Sequence, residues 1–454
     1  MALPAVTRGV HDMLTEEQNR LLIDVSPGTP MNSYWKQHWI PALRSAALER
    51  DCDPVRVELL CEKYVAFRTT DGTVGFLNEA CPHRGVSLAL GRNENNALTC
   101  IFHGWRINAD GYCVHMPTET SNALCPKVPR TGYPVREAGG IVWVYLGQGE
   151  PPQFNDFPFT YLPQKHVRAR ASYNYSNWVQ NVETLLDSAH IALLHADTAY
   201  NKNVPKEGVQ LTAGNDVPRY SFEPKPYGFR SFAERVQPNG DIYLRVTEFV
   251  APGMAFIGTT SAEAAFVIMV VPANNTRTLG WFVFWDARDD INNRLPDFLM
   301  IGTDESDDDF AASRAGGLVA SQDRAAMRRG ETWTGTRGVI FEDYLVAESM
   351  PIVDRTREFL GSGDVAIVRL RRELLSRIQT HMEGKPLPEH AGDIDYRAMR
   401  SLAEVVPAGT DIRAFAQSRE EERRRAYQIE ADGAPQADAK TGSVAAAAEA
   451  ATIR

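Results

Sequence analysis

Four residues between positions 81 and 103 constrain this chain more tightly than any other feature. The segment Cys81 to Trp105, CPHRGVSLALGRNENNALTCIFHGW, holds Cys81 and His83, then, after sixteen intervening residues, Cys100 and His103. Each knuckle offers one thiol and one imidazole. A structural zinc site usually draws two cysteines from one knuckle and its other ligands from elsewhere. Two mixed knuckles are a different pattern. Pro82 and Gly104 permit tight loops, and Arg84, Gly85 and Trp105 follow the ligand candidates closely.

Mixed pairs suit a binuclear centre in which each loop gives one ligand to each metal ion. A 2Fe–2S cluster with two cysteines on one iron and two histidines on the other is of this kind, and its imidazoles raise the reduction potential. Cys81, His83, Cys100 and His103 are therefore expected to hold an electron-carrying cluster, with zinc as the competing reading. The six cysteines all lie in the first third of the chain. No basic stretch followed by an apolar one opens the sequence, so a cytoplasmic location is expected and the cysteines read as thiols or ligands. Cys52, Cys61, Cys113 and Cys125 are expected to pack as small hydrophobes.

The remaining length demands more than a cluster-binding module. A chain of 454 residues should form two or three domains. Residues 1–45 read as a helical lead-in packing on the catalytic part, with Thr15 as its N-cap. From 46 to 155 the texture is β-rich, with turns at Asp71-Gly72 and Asp110-Gly111 and a buried strand in GGIVWVYLG. The Pro-rich GEPPQFNDFP marks a boundary before a second domain, 156–410. Residues 411–454 are charged and then Ala-rich, a tail expected to be partly disordered. A net charge of −10 argues against nucleic acid or an anionic membrane as a partner. No apolar run is long enough to span a bilayer, and no dinucleotide or P-loop fingerprint follows a strand.

A second metal candidate lies in NWVQNVETLLDSAHIALLHAD, which supplies Asp187, His190 and His195 and reads as a helix from Trp178 to His195. Histidines five apart on a helix differ by about 140° of rotation. Reaching one metal requires the helix to bulge or end between them. With one carboxylate they would form a facial triad leaving open positions on Fe(II) for dioxygen. Asp304, Asp307, Asp308, Asp309, Asp323, Asp343, Asp354 and Asp364 are all candidates by position. Asp187 precedes His190 by about one helical turn and can accept a hydrogen bond from its ring.

The cluster motif, SPGTPMNSYWKQHWIPAL near the start and MPIVDRTREFLGSGDVAIVRLRRELL later together resemble the Rieske non-haem iron oxygenases, specifically the phthalate-dioxygenase-like oxygenase components. The resemblance runs from about residue 14 to 380. It implies an α+β protein, a small all-β Rieske domain followed by a helix-grip domain with an antiparallel sheet around a long helix. FEDYLVAES resembles the segment carrying the family's third iron ligand, which selects Asp343, with Asp354 as fallback. In the family the residue matching Asp187 bridges the catalytic histidine to a Rieske histidine of the next subunit, here His103. The family often has Asn four positions earlier; Glu183 stands there and is left unassigned. A homotrimer or trimer-based oligomer and a flavin/iron–sulfur reductase as electron donor are implied.

The expected reaction is dioxygenation of an aromatic, carboxylated substrate, or alternatively monooxygenation or O-demethylation of a methoxylated or diaryl acid. Arg219, Arg230 and Arg245 are candidates to fork the carboxylate. Trp281, Phe282, Phe284 and Trp285 either wall a pocket or pack a core. A Rieske electron-transfer or redox-sensing protein is the rival of another class. It would need His190 and His195 to be structural.

Overall fold

The computed structural model describes residues 13–195, 217–258, 264–291, 322–336, 338–350, 352 and 354–431. The chain opens with α1 (Glu16–Ile23), where Thr15 and Gln18 form a capping box, and α2 (Pro30–Trp35), capped by Thr29 with Pro30 in its first turn. Strand β1 (Trp39–Arg44) already belongs to the small β domain, because it pairs antiparallel with β10 (Ile141–Tyr145), whose other edge takes β9 (Val135–Ala138). A second sheet is β2 (Val55–Leu59), β3 (Glu62–Arg68) and β4 (Val74–Asn78). A third comprises β5 (Arg92–Glu94), β6 (Ala97–Thr99), β7 (Arg106–Asn108) and β8 (Cys113–His115).

The larger domain is built on one antiparallel sheet, ordered β11 (Val167–Asn174), β17 (Arg277–Asp286), β16 (Ala264–Asn274), β15 (Met254–Ile257), β14 (Ile242–Val250), β13 (Gly228–Val236) and β12 (Arg219–Lys225). Strand β18 (Leu402–Val406) pairs with the first half of β14, on the edge whose second half pairs with β15. Against this sheet lie α3 (Trp178–Leu186) and α6 (Val339–Ser349), with α7 (Val365–Met382) packed on α1, α2 and α3. Two one-turn helices, α4 (Ile191–Leu194) and α5 (Arg324–Arg328), complete this side.

Strand β17 is buried on both faces, so the period-2 alternation of a strand separates its neighbours rather than core from solvent. Gly280 and Phe282 face α6, where Tyr344 sits against both. Trp281 donates to the carbonyl of Pro41 in β1, and Trp285 donates to Tyr427 of α8 (Ile412–Ala431). Of the aromatic cluster flagged in the sequence, the tryptophans are thus core. The described part of the charged 411–454 segment is this packed helix, with Arg423 fully buried and Tyr427 almost so. Positions 432–454, like Asp304, Asp307, Asp308 and Asp309, lie outside the described residues. Among the described residues no helix is long and apolar enough to cross a membrane.

Candidate redox and metal centres

The two cluster loops are backbone copies of one another. In each, the Cys carbonyl accepts from the amide four residues on, Gly85 at 2.8 Å and Gly104 at 2.9 Å. Each Cys amide in turn donates to the carbonyl five residues on, Val86 at 2.8 Å and Trp105 at 2.9 Å. Both turns need a left-handed residue, met by Gly85 at φ +76° and Gly104 at φ +71°. The loops bury the sulfurs, Cys81 and Cys100 being 3% exposed, and carry the imidazoles outward. His83 and His103 lie with ring centroids 4.6 Å apart, and His83 stacks on Trp105.

These residues fit the expected cluster. His103 Nδ1 is buried with no hydrogen-bond partner among the described residues, the condition of a nitrogen reserved for a metal. Burial, reinforced by the neighbouring Cys100 sulfur, pushes the Cys81 thiol up to about 11. Bound iron would reverse that by holding the sulfur as thiolate. Cys113 and Cys125 sit in the same core with their sulfurs 3.2 Å apart.

The iron-site candidates come from a broken helix. Helix α3 starts on an Asn177–Gln180 capping box and stops at Leu186, where Asp187 turns extended and its Oδ1 accepts from the Ala189 amide at 2.7 Å. The single helix expected from Trp178 to His195 is therefore two, because Asp187 caps the turn instead of continuing it. His190 then precedes α4 and His195 terminates it, so the rings face one another with centroids 5.2 Å apart. Asp187 does approach His190, Oδ2 to Nδ1 at 3.4 Å, but across this non-helical turn rather than along a helix.

Asp343 arrives from α6. Its Oδ1 lies 3.1 Å from His195 Nε2 and 3.6 Å from His190 Nε2, and is aligned for a hydrogen bond with neither. One ligand atom from each of the three residues lies within 4.8 Å of the others. Two imidazoles and one carboxylate converging in this way suit a facial-triad Fe(II) site. Although burial works against a charged ring, Asp343 and Glu342 outweigh it and raise His195 to about 9. A divalent ion would take the place of that proton. Burial likewise opposes the Asp187 carboxylate, but His190 and nearby amides hold it below its usual range.

The other carboxylates are engaged elsewhere. Asp323 caps α5, Asp364 accepts from Gly361, and the fallback Asp354 is exposed and paired with Arg357. Glu183 is a structural ion-pair centre, binding Arg355 through both oxygens and Arg371 through one. Glu342 was missed by the sequence reading. It is 1% exposed, its Oε2 accepts from His195 Nδ1 at 2.8 Å and its Oε1 from Thr334 Oγ1 at 2.8 Å. Its position beside Asp343 was the sole available signal.

The arginines separate clearly. Arg230 is sequestered by Glu248 at 2.5 Å, Glu420 at 2.9 Å and Glu223 at 3.7 Å, which leaves no fork for a substrate and corrects its assignment. Arg219 is exposed at the start of edge strand β12. Arg245 borders a small cavity with Ser188, Ile191 and Arg235, directly behind the His190 turn. A second cavity adjoins Asp343 and is walled by Leu185, Ile268, Val270, Phe282 and Ile340, with Asn181 and Thr184 as polar points.

Comparisons with known proteins identify the family. A Rieske [2Fe-2S] domain model matches residues 38–131, and a model described as LigXa C-terminal domain like matches 144–436. The phthalate 4,5-dioxygenase oxygenase subunit of Pseudomonas putida is 37% identical over 393 residues, covering 82% of this chain and 88% of the relative. The 5,5'-dehydrodivanillate O-demethylase oxygenase subunit of a Sphingobium species is 35% identical, covering 82% of each. The terminal oxygenase of carbazole 1,9a-dioxygenase from a Novosphingobium species shares the fold, with a TM-score of 0.54 at 21% identity over 79% of this chain and 96% of that one. With its α+β architecture, its Rieske domain match and its similarity to oxygenase subunits over most of its length, the chain belongs to the Rieske non-haem iron oxygenases, as an oxygenase subunit of the phthalate-dioxygenase-like kind.

Proposed function

We propose that this oxygenase hydroxylates an aromatic carboxylate by dioxygenation, using His190, His195 and Asp343 as iron ligands and Cys81, His83, Cys100 and His103 as cluster ligands. The observation that carries the reading is the convergence of His190, His195 and Asp343 beside an apolar cavity. When bound, Fe(II) with open positions activates dioxygen as electrons arrive singly from the cluster. Val270, Ile268 and Phe282 would form the apolar wall beside the iron. Arg245, whose Nε is buried without a hydrogen-bond partner among the described residues, would receive the carboxylate. The O-demethylase relative supports the second reading, monooxygenation or demethylation of a methoxylated acid.

Electrons would come from a separate flavin/iron–sulfur reductase, and Asp187 would pass them from His103 of a neighbouring subunit in a trimer. Two surfaces support that arrangement. Ile101 and Phe102, beside His103, are 57% and 53% exposed, and Leu193, between the two iron histidines, is 63% exposed. Exposed apolar side chains beside both proposed centres would be covered by such a contact.

The test offers phthalates, chlorobenzoates, phenoxybenzoates and methoxybenzoates to the protein with a reductase under labelled dioxygen. A diol with two labelled oxygens identifies dioxygenation; one labelled oxygen, or released formaldehyde, identifies the second reading. Oxygen uptake stimulated only by uncharged aromatics would overturn the carboxylate assignment.

A further inference from the structure

We infer that Glu342, backed by Thr334, is a positioning residue that holds His195 for the iron. The inference rests on the reading of His190, His195 and Asp343 as iron ligands. A ligating imidazole presents one nitrogen to the metal, and the hydrogen bond made by the other fixes its tautomer and orientation. His195 Nε2 faces Asp343 and the centre, while Nδ1 lies 2.8 Å from Glu342 Oε2, so with iron bound Nδ1 would keep its proton for Glu342 and Nε2 would give its lone pair to the metal.

Three observations set Glu342 apart from an ordinary buried acid. It is 1% exposed, and among the described residues no lysine or arginine pairs with it; the group it faces is the His195 ring. A buried carboxylate without such pairing is costly to keep. Its second oxygen is held by the Thr334 hydroxyl, so the carboxylate cannot swing away from the ring. Finally, Glu342 and Asp343 are consecutive on α6, so one helix supplies both the third ligand and the brace for the second.

The two histidines are thus held unequally. His190 leans on Asp187 at 3.4 Å, in a contact about one-fifth exposed on both sides. His195 is clamped at 2.8 Å in a contact almost sealed from solvent. The first suits a group that must communicate outward, the second an anchor.

The experiment compares full-length holoprotein variants Glu342→Gln, Glu342→Leu and Thr334→Val by ferrous titration after selective removal of the mononuclear iron. Cobalt(II), whose visible bands report ligand geometry, serves as a second probe. Glu342→Gln keeps an acceptor but loses the charge and should weaken Fe(II) binding about 10-fold; Glu342→Leu removes both and should weaken it about 100-fold. Thr334→Val should fall between wild type and Glu342→Gln, with altered cobalt bands. The reduced-cluster EPR signal should be unchanged in all three and reports intact folding; if Glu342→Leu loses it, the other two variants decide. His195→Ala and Asp343→Asn are the controls. If they lose iron while the Glu342 and Thr334 variants bind it as wild type does, the brace is refuted and the ligand reading stands. If the controls retain iron too, the ligand reading itself fails.

Discussion

Glu183 illustrates how this chain keeps an acid ionised in its interior. Burial opposes its charge, yet the guanidinia of Arg355 and Arg371 hold its pKa below the ordinary carboxylate range. Arg355 is fully buried and grips Glu183 with two bonds of 2.9 Å. Breaking a buried pair by neutralising one member typically costs about 3–5 kcal/mol. Glu183→Gln should therefore lower the urea midpoint and melting temperature markedly without changing any proposed metal ligand. An unchanged melting curve would show that the arginines are satisfied otherwise. At this scale the sequence was most informative where candidate ligands are close in the chain. Cys81, His83, Cys100 and His103 could be proposed together from the sequence because two short loops carry them. Glu342 was not, because its partner His195 is 147 positions away and only the fold brings α6 against α4.

Elements are joined by a second buried acid, Glu389. It accepts from Tyr34 of α2 at 2.5 Å, lies 3.2 Å from His38 Nε2 and pairs with Arg377 of α7. Burial disfavours its charge, but His38, Arg377 and Tyr34 prevail and hold it at about 2 instead of the usual 4.5. A carboxyl with a depressed folded pKa stabilises fully above its unfolded value and loses that contribution as pH falls toward the folded one. The shift corresponds to about 3 kcal/mol at neutral pH, lost between roughly pH 4.5 and 2. Glu389→Gln should be less stable than wild type by about that amount at pH 7, and the gap in urea denaturation should narrow as pH drops through this window. A gap independent of pH would mean the carboxylate's charge contributes nothing. Element boundaries were less legible than the paired Cys/His motif. The apolar pattern of VETLLDSAHIALL continues across the helix break, so periodicity could not reveal that Asp187 caps a turn. Strands β16 and β17 are buried on both faces and show no polar alternation, so which face meets α6 and which meets the small domain was not readable.

At the scale of the whole molecule, the proposed electron path makes a claim about assembly that two inactive variants can test together. Asp187→Asn should leave cluster and iron in place but block transfer into its own iron site. His103→Ala should remove cluster function while leaving its own iron site intact. Each alone should be inactive. In a head-to-tail ring an iron site draws on its neighbour's cluster, so a co-expressed one-to-one mixture restores activity wherever an intact iron site sits beside an intact cluster. Random mixing within trimers makes that about one site in four, and hence about a quarter of wild-type turnover. Transfer confined to one chain predicts none, because every subunit then lacks either the bridge or the cluster. The comparison also separates assembly from chemistry. Mixed oligomers confirmed by size and by half-maximal cluster EPR, yet without turnover, would rule out the subunit-crossing path while leaving both proposed metal centres in each chain.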